Sequence, residues 1–185
     1  GPEGVFAAYS SLFGDPFEKA IEPLIPEGLT QPDLRLPFAD GREWLFISGP
    51  HAAWGAGSPW AALDFAPPSV EGGCVKSDEW VTAPAAGVVV RSGNGVVTLD
   101  LDGDGREQSG WVIMFLHVAT EGRVPAGRTV EPGDLIGHPS CEGGRSTGTH
   151  VHVARKFNGE WIPADGPMPF NLNGWAAHFD AREYK

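Results

Sequence analysis

The sequence predicts a mainly β fold: an antiparallel, barrel- or sandwich-like sheet domain over residues 41–185, with a small, partly helical arm at residues 1–40 packing on it. Three observations predict it. Twenty-six glycines and 17 prolines divide the 185 residues into short runs rich in Val, Thr, Phe and Trp, the pattern of strands separated by turns. Asn94-Gly95 stands between two such runs, a strong signal for a tight hairpin. The stretch Thr149-His150-Val151-His152-Val153 alternates with the period of two of a half-buried strand.

Each element follows from local chemistry. Residues 6–29 carry one or two short helical turns, interrupted at Pro16, Pro23 and Pro26, where the ring removes a backbone donor. Residues 30–44 run extended. EWLFIS (43–48) and AALDFAP (61–67) are short apolar strands joined by a loop containing Trp54 and Trp60. Residues 80–105 hold the hairpin around Asn94-Gly95. GWVIMFLHVA (110–119) is a strand nearly continuous in apolar residues, and TVEPGDLIGHP (129–139) is a turn leading into a short strand.

Composition excludes several function classes. Hydrophobic content of 41% and charged content of 20% are those of a globular chain rather than a disordered one. A formal charge of −11 repels nucleic acid and anionic membranes, so neither is an expected partner. No apolar run reaches membrane-spanning length, and no signal-peptide pattern begins at Gly1, so membrane insertion is not expected. Cys74 and Cys141 allow one disulfide or two buried thiols; the bridge is the preferred reading and fits an oxidising compartment.

Chemistry gathers where polar side chains interrupt apolar strands. His51 follows FISGP, Asp64 sits inside AALDFA, His117 ends WVIMFLH, and His150 and His152 share one strand face. Two imidazoles side by side repel once protonated, whereas neutral rings can bind a metal. A buried carboxylate such as Asp64 needs a cation or donors to compensate it. The alternative is a polar strand face with two solvated histidines.

Taken in order, VTAPAAGVVV, FLHVA, VEPGDLIG and GGRSTGTHVHVA after a His…Asp pair resemble the lysostaphin-type zinc endopeptidases, which cut peptide cross-links of bacterial peptidoglycan. The resemblance covers residues 41–177. Many members space the first His and the Asp four positions apart; here His51 and Asp64 are thirteen apart, and SPWAALDF and CEGGRSTG look closest to the staphylolysin branch. The resemblance implies one Zn2+ held by His51, Asp64 and His152, with His117 and His150 as the catalytic pair. It implies peptidoglycan peptides as partners and a place outside the cytoplasm, in the cell envelope or extracellular. No Glu follows the motif as in His-Glu-x-x-His enzymes, so a histidine has to accept the water proton.

Trp54, Trp60, Phe115, Gly143, Gly144 and Gly148 are the candidate substrate-binding residues. The tryptophans lie between the first two ligands, and the glycines allow close approach of a peptide backbone. Phe115 stands where many relatives have a Tyr, so a phenolic hydrogen bond is missing on that side. Asp100, Asp102 and Asp104 begin like a Ca2+ loop, but Trp111 occupies the position of its bidentate Glu, and a solvated Asp-Gly turn is the preferred reading. His138 and His178 read as ordinary polar residues. Two other classes fit the sequence less well. A silent relative that binds peptidoglycan or regulates another hydrolase would usually lack ligand residues, and all five are present. A biotinyl- or lipoyl-like carrier is suggested by APAAGVVV alone and lacks its lysine turn.

Overall fold

Helix α1 (Pro2–Phe13) begins at a proline and carries Glu3 in its first turn, where a missing N–H costs nothing and a negative charge is favoured. The computed structural model describes residues 2–13, 25–68 and 72–179, so the helical turns expected over 14–24 lie outside the described residues. Residues 25–44 run mostly extended. Leu34 and Phe38 are buried in the main core, Arg35 donates its N–H to Pro84 O at 2.9 Å, and Phe38 bridges Val81.

Twelve strands follow in chain order: β1 (Leu45–Ala52), β2 (Trp60–Ala66), β3 (Val81–Thr82), β4 (Gly87–Gly93), β5 (Val96–Asp100), β6 (Trp111–Leu116), β7 (Thr129–Val130), β8 (Leu135–Gly137), β9 (Val151–Phe157), β10 (Glu160–Trp161), β11 (Asn171–Leu172) and β12 (Trp175–Ala176). The main sheet runs β1-β2-β9-β6-β5-β4-β7, with β10 paired to β9, and every pairing is antiparallel. β1 and β7 end that path, so among the described residues the sheet is open. The mainly antiparallel β expectation is met; a closed barrel is not formed. Two small pairs, β3-β8 and β11-β12, complete the strand structure.

Alternation gives the sheet two unlike faces. Leu63, Phe65, Ile113, Phe115, Val151 and Val153 point into the large core with Leu34, Phe38, Val97, Leu99, Ile136 and Phe170. Their neighbours Ala62, Met114, Leu116 and Ala154 form a smaller cluster with Ala53, Ala61 and Val96. Burying the large face supplies most of the apolar driving force. The opposite face, built of small residues, leaves room for a cleft.

Two turns matter for the site. Asn94 and Gly95 both have positive φ, 49° and 74°, as a two-residue type I′ hairpin requires. β1 continues past the expected Ser48 through His51, with register shifts between Phe46, Ser48, His51 and Ala52. An ideal Cβ on Gly49 would lie 2.6 Å from Leu63 Cδ2, so a side chain there would have to displace Leu63, and Pro50 is tolerated because β1 is an edge strand. Cys74 and Cys141 form a disulfide.

Candidate metal centre

Asp64 on β2 and His152 on β9 are directly paired across the sheet, and Leu116 on β6 flanks His152 on its other side. Both polar residues lie on the small-residue face because their neighbours Leu63, Phe65, Val151 and Val153 fill the other. The bulged end of β1 swings His51 over this pair. The result is a triangle: His51 Nε2 lies 3.1 Å from His152 Nδ1, and these nitrogens lie 3.3 and 3.2 Å from Asp64 Oδ1.

Hydrogen bonds outside the triangle decide what points into it. His152 Nε2–H donates to Ala53 O at 2.9 Å, which leaves Nδ1 bare. Asp64 Oδ1 is buried and accepts no hydrogen bond, and His51 Nδ1 has no partner among the described residues. Burial raises the pKa of the Asp64 carboxyl, but His152 and His51 outweigh this and hold it well below the usual carboxylate range. With neutral rings, the bare His152 Nδ1 and the Asp64 carboxylate face each other as lone pairs, and His51 Nε2 joins them when its proton sits on the unpartnered Nδ1. A cation relieves that conflict.

The donor set fits a metal ion. Three ligands at bonds of ~2.0–2.1 Å around a tetrahedral centre stand about 3.3 Å apart, close to the 3.1–3.3 Å found here. Two histidines and one carboxylate suit zinc, and three protein ligands leave a fourth position open, the arrangement of a catalytic rather than a structural site. The backbone carbonyl of Ala53 orients the His152 ring from outside, as is usual for metal-binding histidines.

Two further histidines stand beside the triangle. His117 and His150 have ring centroids 4.5 Å apart. His117 donates Nδ1–H to Glu142 O at 2.9 Å, and His150 donates Nδ1–H to Gly148 O at 2.8 Å. Each ring therefore leaves Nε2 bare, and that of His150 is 3.6 Å from Asp64 Oδ2. Burial pushes the His117 pKa down to about 4, helped by the charges of His150 and His152 and opposed by the Glu142 carbonyl. A neutral imidazole with a free nitrogen can accept a proton.

All five residues line one cleft of about 1710 Å³, together with Trp54, Gly143, Gly144 and Gly148. Trp60 and Phe115 do not line it. Trp60 packs edge-on against Phe179 with ring centroids 5.2 Å apart, and Phe115 is wholly buried in the main core. Gly143 serves the fold: its ideal Cβ would meet Asn94 O at 2.2 Å, so the loop can lie against the hairpin only without a side chain. Trp44, Leu45 and Ile47 form a further wall of the cleft; their apolar run has no sequence signal for this, because it reads equally as core. The carbonyls of Ala53, Glu142 and Gly148 have no sequence signal, because every residue carries one.

Asp100, Asp102 and Asp104 also cluster, and their oxygens cap the turn between β5 and β6. Asp100 accepts the N–H groups of Asp102, Gly103 and Gly105, and Asp104 accepts from Arg106 N–H and Ser109 Oγ. These bonds build an Asp-Gly turn.

Fold and site together define an antiparallel β-sheet domain that carries a candidate metal centre. The sequence profile of peptidase family M23 matches residues 72–163, the part carrying His117, His150 and His152. Protease LasA of Pseudomonas aeruginosa is 24% identical over 199 residues, covering 97% of this chain and 45% of its own length. The beta-lytic metalloendopeptidase of Achromobacter lyticus is 30% identical over 152 residues, covering 76% of this chain and 36% of its own. Among solved structures, pseudoalterin, described as a novel M23 metalloprotease from the deep sea, matches with a TM-score of 0.56 at 30% identity, over 73% of this chain and 75% of its own. The chain belongs to peptidase family M23. It spans less than half the length of the two curated relatives.

Proposed function

We propose that this chain is a zinc endopeptidase that hydrolyses peptide cross-links or stem peptides of bacterial peptidoglycan outside the cytoplasm. One observation carries the reading: three potential ligand atoms and two imidazole nitrogens left bare by carbonyl partners converge on one cleft. His51 Nε2, Asp64 Oδ1 and His152 Nδ1 would hold the zinc ion. When bound, zinc supplies Lewis acidity, making water a nucleophile near neutral pH and polarising a carbonyl.

The remaining work falls to the chain's own groups. His150 Nε2, nearest to Asp64, accepts the proton of the attacking water while the bare His117 Nε2, facing the same space, accepts a hydrogen bond that orients that water. The imidazolium so formed then stabilises the developing oxyanion or returns the proton to the leaving amine. The carbonyls of Glu142 and Gly148 keep both rings in the required tautomer. The apolar wall of Trp44, Leu45 and Ile47 and the ring of Trp54 border the space for an extended peptide. Peptidoglycan as substrate rests on the motif resemblance and on the peptidase relatives; the disulfide suits an extracytoplasmic setting.

Elemental analysis of the wild type and His152→Ala tests the centre, and digestion of purified peptidoglycan tests the activity. One zinc per wild-type chain, lost in the variant together with release of new amino termini, is the expected result. A wild type that takes up no zinc even when incubated with it would defeat the reading.

A further inference from the structure

His117 is held in an unusual way. It follows the last residue of β6 with φ of 67°, a left-handed conformation that non-glycine residues seldom adopt without support. The support comes from the segment Ser140–Glu142. Ser140 donates both its N–H (2.7 Å) and its hydroxyl (2.9 Å) to His117 O, and Glu142 O accepts the Nδ1–H of the ring. Ser140 holds the backbone of His117 and Glu142 holds its side chain.

Glu142 is itself pinned, although its side chain is exposed. Its carboxylate accepts the N–H of Thr120 at 2.9 Å and the Thr120 hydroxyl at 2.6 Å, with Arg123 Nη1 at 3.9 Å. Its N–H donates to Ser140 Oγ at 3.0 Å. Its carbonyl packs against Gly95, where an ideal Cβ would lie 2.5 Å from that oxygen, and the preceding Cys141 is tied to Cys74. In a chain of net charge −11, this acid directs its carboxylate to a threonine three residues beyond His117.

We infer that Glu142 is a positioning residue for His117: its side chain, anchored on Thr120, fixes the carbonyl that selects the Nδ1–H tautomer and so keeps Nε2 free. The inference rests on the reading of His117 as part of the catalytic pair. The proton on one ring nitrogen is set by the partner of the other, and second-layer partners of this kind typically cost about 10- to 100-fold when removed. Glu142→Ala frees the loop and lets the ring sample the other tautomer. Glu142→Gln keeps an acceptor for the Thr120 N–H and a donor for its hydroxyl, and so restores the anchor.

Two independent readouts test this on the full zinc-loaded chain: two-bond nitrogen–proton NMR of His117, and kcat with KM on peptidoglycan peptides. In Glu142→Ala the Nδ1–H pattern should be lost or averaged and kcat should fall about tenfold or more, with KM and zinc content near wild type, and Glu142→Gln should recover most of kcat. An unchanged tautomer with unchanged kcat overturns the inference, and so does a rise in KM alone, which would mark a substrate contact instead. Should Glu142→Ala fail to fold, Thr120→Val, which removes only the hydroxyl donor, must shift both readouts in the same direction; if it shifts neither, the inference falls. A wild type that cleaves no peptide would sink the proposed function, while the tautomer comparison would still decide the role of Glu142.

Discussion

Replacing Cys74 and Cys141 with serine removes the bridge that closes a loop across a sequence separation of 67 residues. In the chain-entropy model a loop of that length constrains the unfolded state by about 4 kcal/mol. For a domain of this size, about 1 kcal/mol moves Tm by roughly 2–4 °C, so the double variant should melt about 8–16 °C lower. The site should outlast this loss. Thr149 donates its N–H and hydroxyl to Gly73 O at 3.0 and 3.1 Å, and also reaches Val75 O, which keeps the 73–75 segment beside His150 without the bridge. Thermal unfolding of metal-free wild type and variant, with reversibility checked, reads the stability term; zinc uptake by both reads the site. A Tm drop under about 3 °C would refute the entropic argument, and loss of zinc binding in the folded variant would refute the separation of bridge and site.

Two further outcomes follow from the geometry around His117. Gly144→Ala adds a Cβ that would lie 3.2 Å from His117 Cε1 and 3.5 Å from Leu116 Cδ2. The ring has to shift by a few tenths of an ångström, so kcat should drop by up to about tenfold while zinc content holds; full activity would show that the ring has slack. Acid should weaken the metal-free protein through the same residue. Burial holds the folded His117 near 4 against an ordinary value of 6.5, so between these values the unfolded chain binds more protons and stability rises with pH. Urea unfolding midpoints should fall from pH 7 to pH 4.5, and fall less in His117→Gln; identical pH slopes would contradict the shift.

Much of the site was legible because a strand's period of two is a local property. His150-x-His152 with Val151 and Val153 between and after them implied one polar and one apolar face, and those valines are in the main core. Asn94-Gly95 implied a tight hairpin because both residues accept positive φ at low cost, and both have it. Asp64 stood out as a charge inside an apolar run, and it is buried beside two histidines.

What remained was decided by contacts between distant residues. Phe115 is two positions from His117, yet strand register sends its ring into the main core while a left-handed turn sends His117 into the cleft. Trp60 and Trp54 flank one loop, but Trp60 is drawn to Phe179 and only Trp54 borders the cleft. Arg155 is wholly buried on β9, where it bonds Gln31 and the carbonyls of Pro163 and Met168, tying the extended segment to the far end of the domain. By itself the sequence determined the strands, the hairpin and which side chains share a face, because these follow from backbone sterics and alternation within a few residues. Only the tertiary structure decided that His51, Asp64 and His152 meet within 3.3 Å and which ring nitrogens are bare, because a bulged edge strand and three backbone carbonyls set both.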